Sequence, residues 1–355
     1  MVGTHSFDFG TLEPIMNAKP LIEEALSMVD SSIAQLVLNH SGWNTTSELI
    51  SARLAYRRDG RFTLPPLLWK FRWQQCTMPK DKVYSLLGLF DNYDEHGALA
   101  LSDYSLPWIE VFARVALSIL STYKNLDFLS FCSAFIGDMD YLPSWVPALH
   151  NPSFCLPLVL GIFDRKNSMD IFTACGTSSM AHLPLKRNDC LSLCGKRFGA
   201  VSWTMKLPEE LHNSDRNLLM RHSSLVMQDL CNQLDRIQSH QQVDTTSQSA
   251  AEIRWRTFLA DQWLIGTRLQ STTYKGCAVL LTSLEKERAL LDQLDPSTAL
   301  QFLKGRSIFT TKSGHLGLGP STTAPGDIVI VAEGGAVPYI LRAEPSTFYR
   351  FVGEW

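Results

Sequence analysis

The last fifty residues constrain the fold more than any other stretch. Gly314, Gly317, Gly319, Pro320, Pro325, Gly326, Gly334 and Gly335 punctuate short runs of β-branched and aromatic residues, among them DIVIVAE at 327–333 and VPYILRA at 337–343. Breakers at that density leave no room for a helix of ordinary length. Short β-prone runs between turn residues predict a small antiparallel meander or barrel over about 305–355.

The rest of the chain reads differently. Residues 20–57 carry an apolar stripe at Leu21, Ala25, Met28, Ile33 and Val37 behind a Pro and acidic first turn, which predicts a helix, with a second one following Asn44. Two short helices are predicted over 64–89, separated at Pro79, with Thr77 as the cap of the second and Gly88 as its stop. Another is predicted after Ser105, with Pro107 at an early position and Ile109, Phe112, Val115, Ala116 and Ile119 on one side. Four prolines between 143 and 157 forbid helix there, and Trp145 among them reads as a core anchor. Beyond lie β-prone runs at 169–175 and 190–203, and helices over 214–237, 251–265 and 283–303. A polar stretch near 238–250 is expected to be a mobile loop. The resulting fold class is α+β: a mainly helical N-terminal half, a mixed central region and a small antiparallel β meander or barrel at the C-terminus. The change of character near 150 suggests a division into 1–150 and 151–355.

With 355 residues, 45% of them hydrophobic and 19% charged, the chain is long and apolar enough for a globular core. A formal net charge of −3 gives no overall field for phosphate backbones, so nucleic acid is not an expected partner. The longest apolar run, Leu156–Phe163, falls far short of the roughly 20 residues that span a bilayer, and no membrane partner is expected. The first fifteen residues have neither a basic n-region with a following apolar run nor an Arg-rich character, so the expected location is the cytoplasm. Eight cysteines are scattered without a paired framework, consistent with reduced thiols. Cys190 and Cys194 come nearest to a motif and are expected to be core thiols, since no second Cys/His pair completes a metal site.

Familiar catalytic signatures are absent: there is no G-x-S-x-G, H-E-x-x-H, G-x-x-x-x-G-K-[ST] or paired C-x-x-C. The glycines from Gly314 to Pro320 are read as a turn between strands, because a dinucleotide loop needs a strand before and a helix after. His315 and Asp327 flank that turn and Arg342 follows on a later strand, so these three could form a polar cluster. Asp103, just before a Pro-started helix, completes the candidate set of Asp103, His315, Asp327 and Arg342, although capping and turn roles account for Asp103 and Asp327 equally well. Asp81 and Lys82 fit the first turn of a capped helix better than catalysis. No His stands at ligand spacing, so no metal and no cofactor are expected.

Several phrases together resemble the fungal heterokaryon incompatibility (HET) proteins. Residues 77–89, TMPKDKVYSLLGL, resemble that family's T-D-P-R-D-K-V-Y-A-L-L-G-L block, with Met78 and Lys80 where Asp and Arg are usual. Asp103-Tyr104-Ser105, Glu110-Val111-Phe112, LPSWVP at 142–147, LCGK at 193–196, FTTKSGHLGLGP at 309–320, PGD at 325–327, PYILR at 338–342 and VGE at 352–354 follow in the family's order. The family's N-terminal HET domain, a cell-death effector with a TIR-like fold, is marked by three blocks that this sequence does not contain. The resemblance therefore implies the region downstream of a HET domain that is itself missing, and it carries over no catalytic residue.

What the resemblance implies for function is a protein-binding recognition or regulatory module in self/non-self recognition or cell-death control, its partner a protein such as a full-length HET relative. The alternative is an enzyme recruited to a fungal secondary-metabolite pathway, acting on a small molecule in an aromatic-lined pocket. A product without activity ranks last, because hydrophobic pattern and caps agree with one another.

Overall fold

A computed structural model describes residues 14, 49–50, 52–54, 56–58, 60, 62–87, 89, 102–134, 142–153, 155–159, 172–176, 186–187, 190–207, 232, 250–264, 267–268, 301–345 and 347–355. The helices expected before residue 49 and, apart from the helical Asn232, over 214–237 lie outside these residues, as does the polar loop expected near 238–250 up to residue 249; of the helix expected over 283–303 only Gln301–Leu303 is described, as a 3₁₀ turn. The chain divides into two compact units, 1–93 and 94–355. The change of sequence character near 150 lies inside the second.

In the first unit, residues 49–50, 52–54 and 56–58 are helical. Helix α1 (Leu64–Lys70) starts on Pro65 and Pro66, whose fixed φ and missing N–H suit the first turn. It buries Leu64, Pro65, Leu67 and Leu68. Helix α2 is one turn, Asp81–Tyr84, capped by Lys80 with no side-chain bond. Thr77 is therefore not its cap. The helix instead continues a tight turn in which Met78, Pro79 and Lys80 carbonyls take the N–H groups of Asp81, Lys82 and Val83. Lys82 Nζ donates to the Arg72 carbonyl at 2.7 Å and to that of Gln74, making it a brace for the chain after α1. Burial lowers its pKa from the ordinary lysine value.

The second unit opens with α3 (Trp108–Tyr123), which follows Pro107 and buries Val111, Phe112, Ala113, Val115, Ala116, Ile119 and Leu120, essentially the expected stripe. Lys124 in the left-handed region ends it, its N–H bonded to the Leu120 carbonyl. A 3₁₀ turn (Asp127–Ser130) and the one-turn α4 (Phe131–Ala134) follow. Trp145 is buried, as expected of an anchor among prolines. The described part of the 169–175 run is a turn, not a strand. Strands β1 (Lys186–Arg187) and β2 (Cys190–Leu191) form a small hairpin ladder. Cys190 is only partly buried and Cys194 is exposed, so neither is a core thiol; Cys194 lies in the irregular residues between β2 and the next strand.

Strand β3 (Gly195–Lys206) decides the architecture. Its first half, 195–200, pairs antiparallel with β8 (Ile328–Ala332), and its second half, 201–206, with β6 (Arg306–Thr311). Register shifts at Arg197/Gly199 and Val201/Trp203 bend it, as bulges do. With β7 (Leu316–Pro320), β9 (Tyr339–Ala343) and β10 (Tyr349–Glu354), the sheet order is β10-β9-β8-β3-β6-β7, antiparallel throughout. It curls into a half-barrel around Val201, Phe309, Val329 and Ile340, with Val352 and Trp355 packed against them. The fold is thus α+β, with helices followed by a C-terminal antiparallel sheet.

The glycines after Gly314 are not one turn. The turn is confined to Lys312–Gly314, and Gly317 and Gly319 lie inside β7. A Cβ at Gly317 would collide with Trp355 Nε1 and the Phe309 ring, and one at Gly319 with Ile340 and Thr323. Packing, not turning, demands glycine there. Helix α5 (Ala250–Phe258) also stops short of 265: Ala260 and Asp261 take positive φ, the Asp261 N–H bonds to the Arg256 carbonyl, and the chain enters β4 (Gln262–Leu264), which pairs with β5 (Thr267–Arg268). Arg256 holds this stop by pairing with both Glu252 and Asp261.

Candidate functional site

Two cavities meet at β10. The first, about 400 Å³, is walled by Leu142, Pro143, Val146, Pro320 and Phe351, with Cys132, Ser133 and Cys155 among its polar lining. The second, about 390 Å³, is lined by Leu129, Trp145, Leu193, Ile330, Leu341 and Phe351. Ser144, Tyr349 and Phe351 line both. Phe348 and Tyr349, at the start of β10, are 56% and 55% exposed on the rim of the second cavity.

Behind the first cavity lies a fully buried ion pair. Arg306 on β6 and Glu354 on β10 both have 0% exposed side chains, and Arg306 Nη2 donates to Glu354 Oε1. The same Nη2 donates to the Leu156 carbonyl at 2.8 Å, and the Leu158 N–H donates to Glu354 Oε1 at 2.8 Å. Gln262 Nε2 adds a bond to the Leu158 carbonyl at 3.2 Å. The irregular segment 155–159 is thereby stitched to two strands that are not neighbours in the sheet. Closing of the sheet brings β10 against β7, since a Cβ at Gly353 would collide with Pro320 and with Ser133 Oγ. Burial raises the Cys155 thiol from 9.0 to about 11, against the pull of Arg306, and burial together with Glu354 pushes Cys132 up as well. Both thiols stay protonated at neutral pH and are poor nucleophiles.

The four residues singled out in the sequence fall in three places. Asp103 Oδ1 accepts from the Ser105 N–H at 2.8 Å and from its hydroxyl at 2.6 Å, fixing the turn ahead of α3. His315 Nδ1 lies 2.9 Å from Ser313 Oγ, with the ring edge-on to Phe198 at 4.8 Å. Asp327 and Arg342 do come together: Arg342 Nε and Nη2 donate to the buried carboxylate at 2.8 and 2.9 Å. That carboxylate also accepts from Ala324 N–H, and Arg342 from its side donates to the Thr322 carbonyl, so the pair ties the 320–327 turn to β9. None of the four lines either cavity. Ser133, Cys132 and Cys155, which do, had no spacing signal in the sequence. Among the described residues there is no group of three or more His, Cys, Asp or Glu that could hold a metal ion, and no helix long and apolar enough to cross a membrane.

Residues 289–355 match the family model of the Het-6 β-barrel domain. The chain is similar to heterokaryon incompatibility protein 6, OR allele, of Neurospora crassa, at 24% identity over 339 aligned residues covering 78% of this chain and 47% of that protein. It thus spans about half the length of the curated relative it matches. No solved structure matches it. The matched segment contributes five strands of the half-barrel, and β3 comes from outside it.

Proposed function

We propose that this chain, a heterokaryon-incompatibility-family protein on the support of its Het-6 β-barrel match at residues 289–355 and its similarity to heterokaryon incompatibility protein 6, is a protein-binding recognition or regulatory module in fungal self/non-self recognition or cell-death control. The observation that carries the reading is the β10 rim. Phe348 and Tyr349 stand more than half exposed beside an apolar cavity that ends on Trp145 and Phe351. Aromatic side chains next to an apolar recess are the usual anchors of a protein interface, where they bury large area at small entropic cost. The electrostatics around β10 support binding over chemistry: the carboxylate of Glu354 is taken by Arg306, and the neighbouring thiols are held protonated.

The test is native mass spectrometry of the purified chain mixed with a full-length heterokaryon incompatibility protein. A complex is expected that Phe348→Ser/Tyr349→Ser abolishes while leaving the melting temperature unchanged. No complex, or one indifferent to both substitutions, refutes the assignment.

A further inference from the structure

We propose that the cavity between α4, the 142–155 segment and β10 is a binding site for an uncharged, mainly apolar small molecule bearing a carbonyl or ether oxygen. This does not depend on a protein partner at the β10 rim. At about 400 Å³ the cavity falls in the range of small-ligand sites, which are mostly apolar with few placed polar groups. Its apolar wall is Leu142, Pro143, Val146, Pro320, Phe351 and Val352.

The polar lining defines the ligand. The Ser133 hydroxyl oxygen is sealed beneath the cavity wall and is not among the groups a ligand can reach. Ser144 Oγ accepts from the Phe351 N–H at 2.9 Å and so keeps its own proton for a second acceptor. The Ser153 hydroxyl, by contrast, is used up, donating to the Ser133 carbonyl and accepting from the Cys155 N–H. One hydroxyl proton, that of Ser144, is therefore left for a ligand. Charge is balanced: Glu344 and Arg350, which line the cavity, pair with each other at 2.9 Å, and the two thiols carry none at neutral pH. An anion or a cation would lose its hydration without gaining an unpaired counter-charge.

Ligand-detected NMR on the whole chain, with 1-indanone as probe, tests this. The controls are indane, which lacks the acceptor, and benzoate and benzylamine, which carry charge. Indanone is expected to bind with a Kd of about 1 mM, and about fivefold more tightly than indane, the worth of one hydrogen bond. Ser144→Ala should erase that preference while leaving the affinity for indane. Ser321→Trp, a substitution at an exposed residue of the cavity's lining and away from the neighbouring apolar cavity, should weaken both. The proposal is overturned if indanone does not bind, if benzoate or benzylamine bind equally well, if the preference survives loss of the Ser144 hydroxyl, or if Ser321→Trp changes nothing.

Discussion

Replacing Glu354 by alanine tests the most consequential interaction in the half-barrel. Glu354 Oε1 accepts from Arg306 and from the Leu158 N–H, all fully buried. The substitution strands a guanidinium whose remaining hydrogen bond is to the Leu156 carbonyl, and it orphans a buried amide. Removing one partner of a buried pair costs about 3–5 kcal/mol, and an orphaned buried N–H about 1–3 kcal/mol, the two overlapping in part. A loss of about 4–6 kcal/mol is therefore expected, a large fraction of the roughly 5–15 kcal/mol that holds a typical domain. Urea unfolding followed by tryptophan fluorescence measures it, since Trp355 packs on Phe309 and Phe198 in the same sheet. The double variant Arg306→Met/Glu354→Leu should recover most of the loss, because an apolar pair carries no desolvation debt. A Glu354→Ala cost under about 1 kcal/mol, or a double variant as unstable as the sum of the singles, would show that the pair does not hold the barrel.

Two further outcomes follow from packing and titration. Gly317→Ala should destabilise by about 1–3 kcal/mol through overpacking against Trp355 and Phe309, whereas Gly199→Ala, whose Cβ meets only ordinary contacts at 3.6 Å, should be neutral or slightly stabilising; melting temperatures separate the two. Cys155 titrates near 11 in the folded chain against 9.0 for an ordinary thiol, so the folded state holds a proton that the unfolded state has released. Its contribution is complete below pH 9 and is lost as pH rises toward 11; Cys155→Ala should flatten that part of the stability profile, and an unchanged slope would contradict the burial of the thiol.

How much of this was legible beforehand depends on the range of each signal. Strands β8 and β9 were readable because Pro325-Gly326 and Gly334-Gly335 bracket them with local turn chemistry. The apolar stripe of α3 was readable for the same reason, since a helical period is local. Gly317 and Gly319 misled because a glycine that admits a neighbouring ring looks, in sequence, like one that turns the chain. The end of α5 was hidden in a side-chain pairing of Arg256 with Asp261, which no periodicity encodes. The cavity was hidden more deeply still. Ser133, Cys155, Ser321 and Arg350 have no common spacing, and only the closing of β10 onto β7 brings them to one space. Of the four polar residues chosen from sequence, the pair joined by the fold, Asp327 and Arg342, sits around a Pro-Gly-Asp turn, where local chemistry already marked the carboxylate.

The position of β3 has a consequence for the ribosome. Its pairing partners on either side, β6 and β8, begin 100 and 122 residues beyond its last residue. At roughly 5–20 residues per second, its two hydrogen-bonding edges wait about 5–20 s in an emerging chain before either can be paired. Through that interval the Gly195–Lys206 segment is an adhesive strand without a sheet. The yield of this protein in a cell should thus be set by what shields that one segment during synthesis, and slowing or crowding translation should harm it more than heating the finished fold.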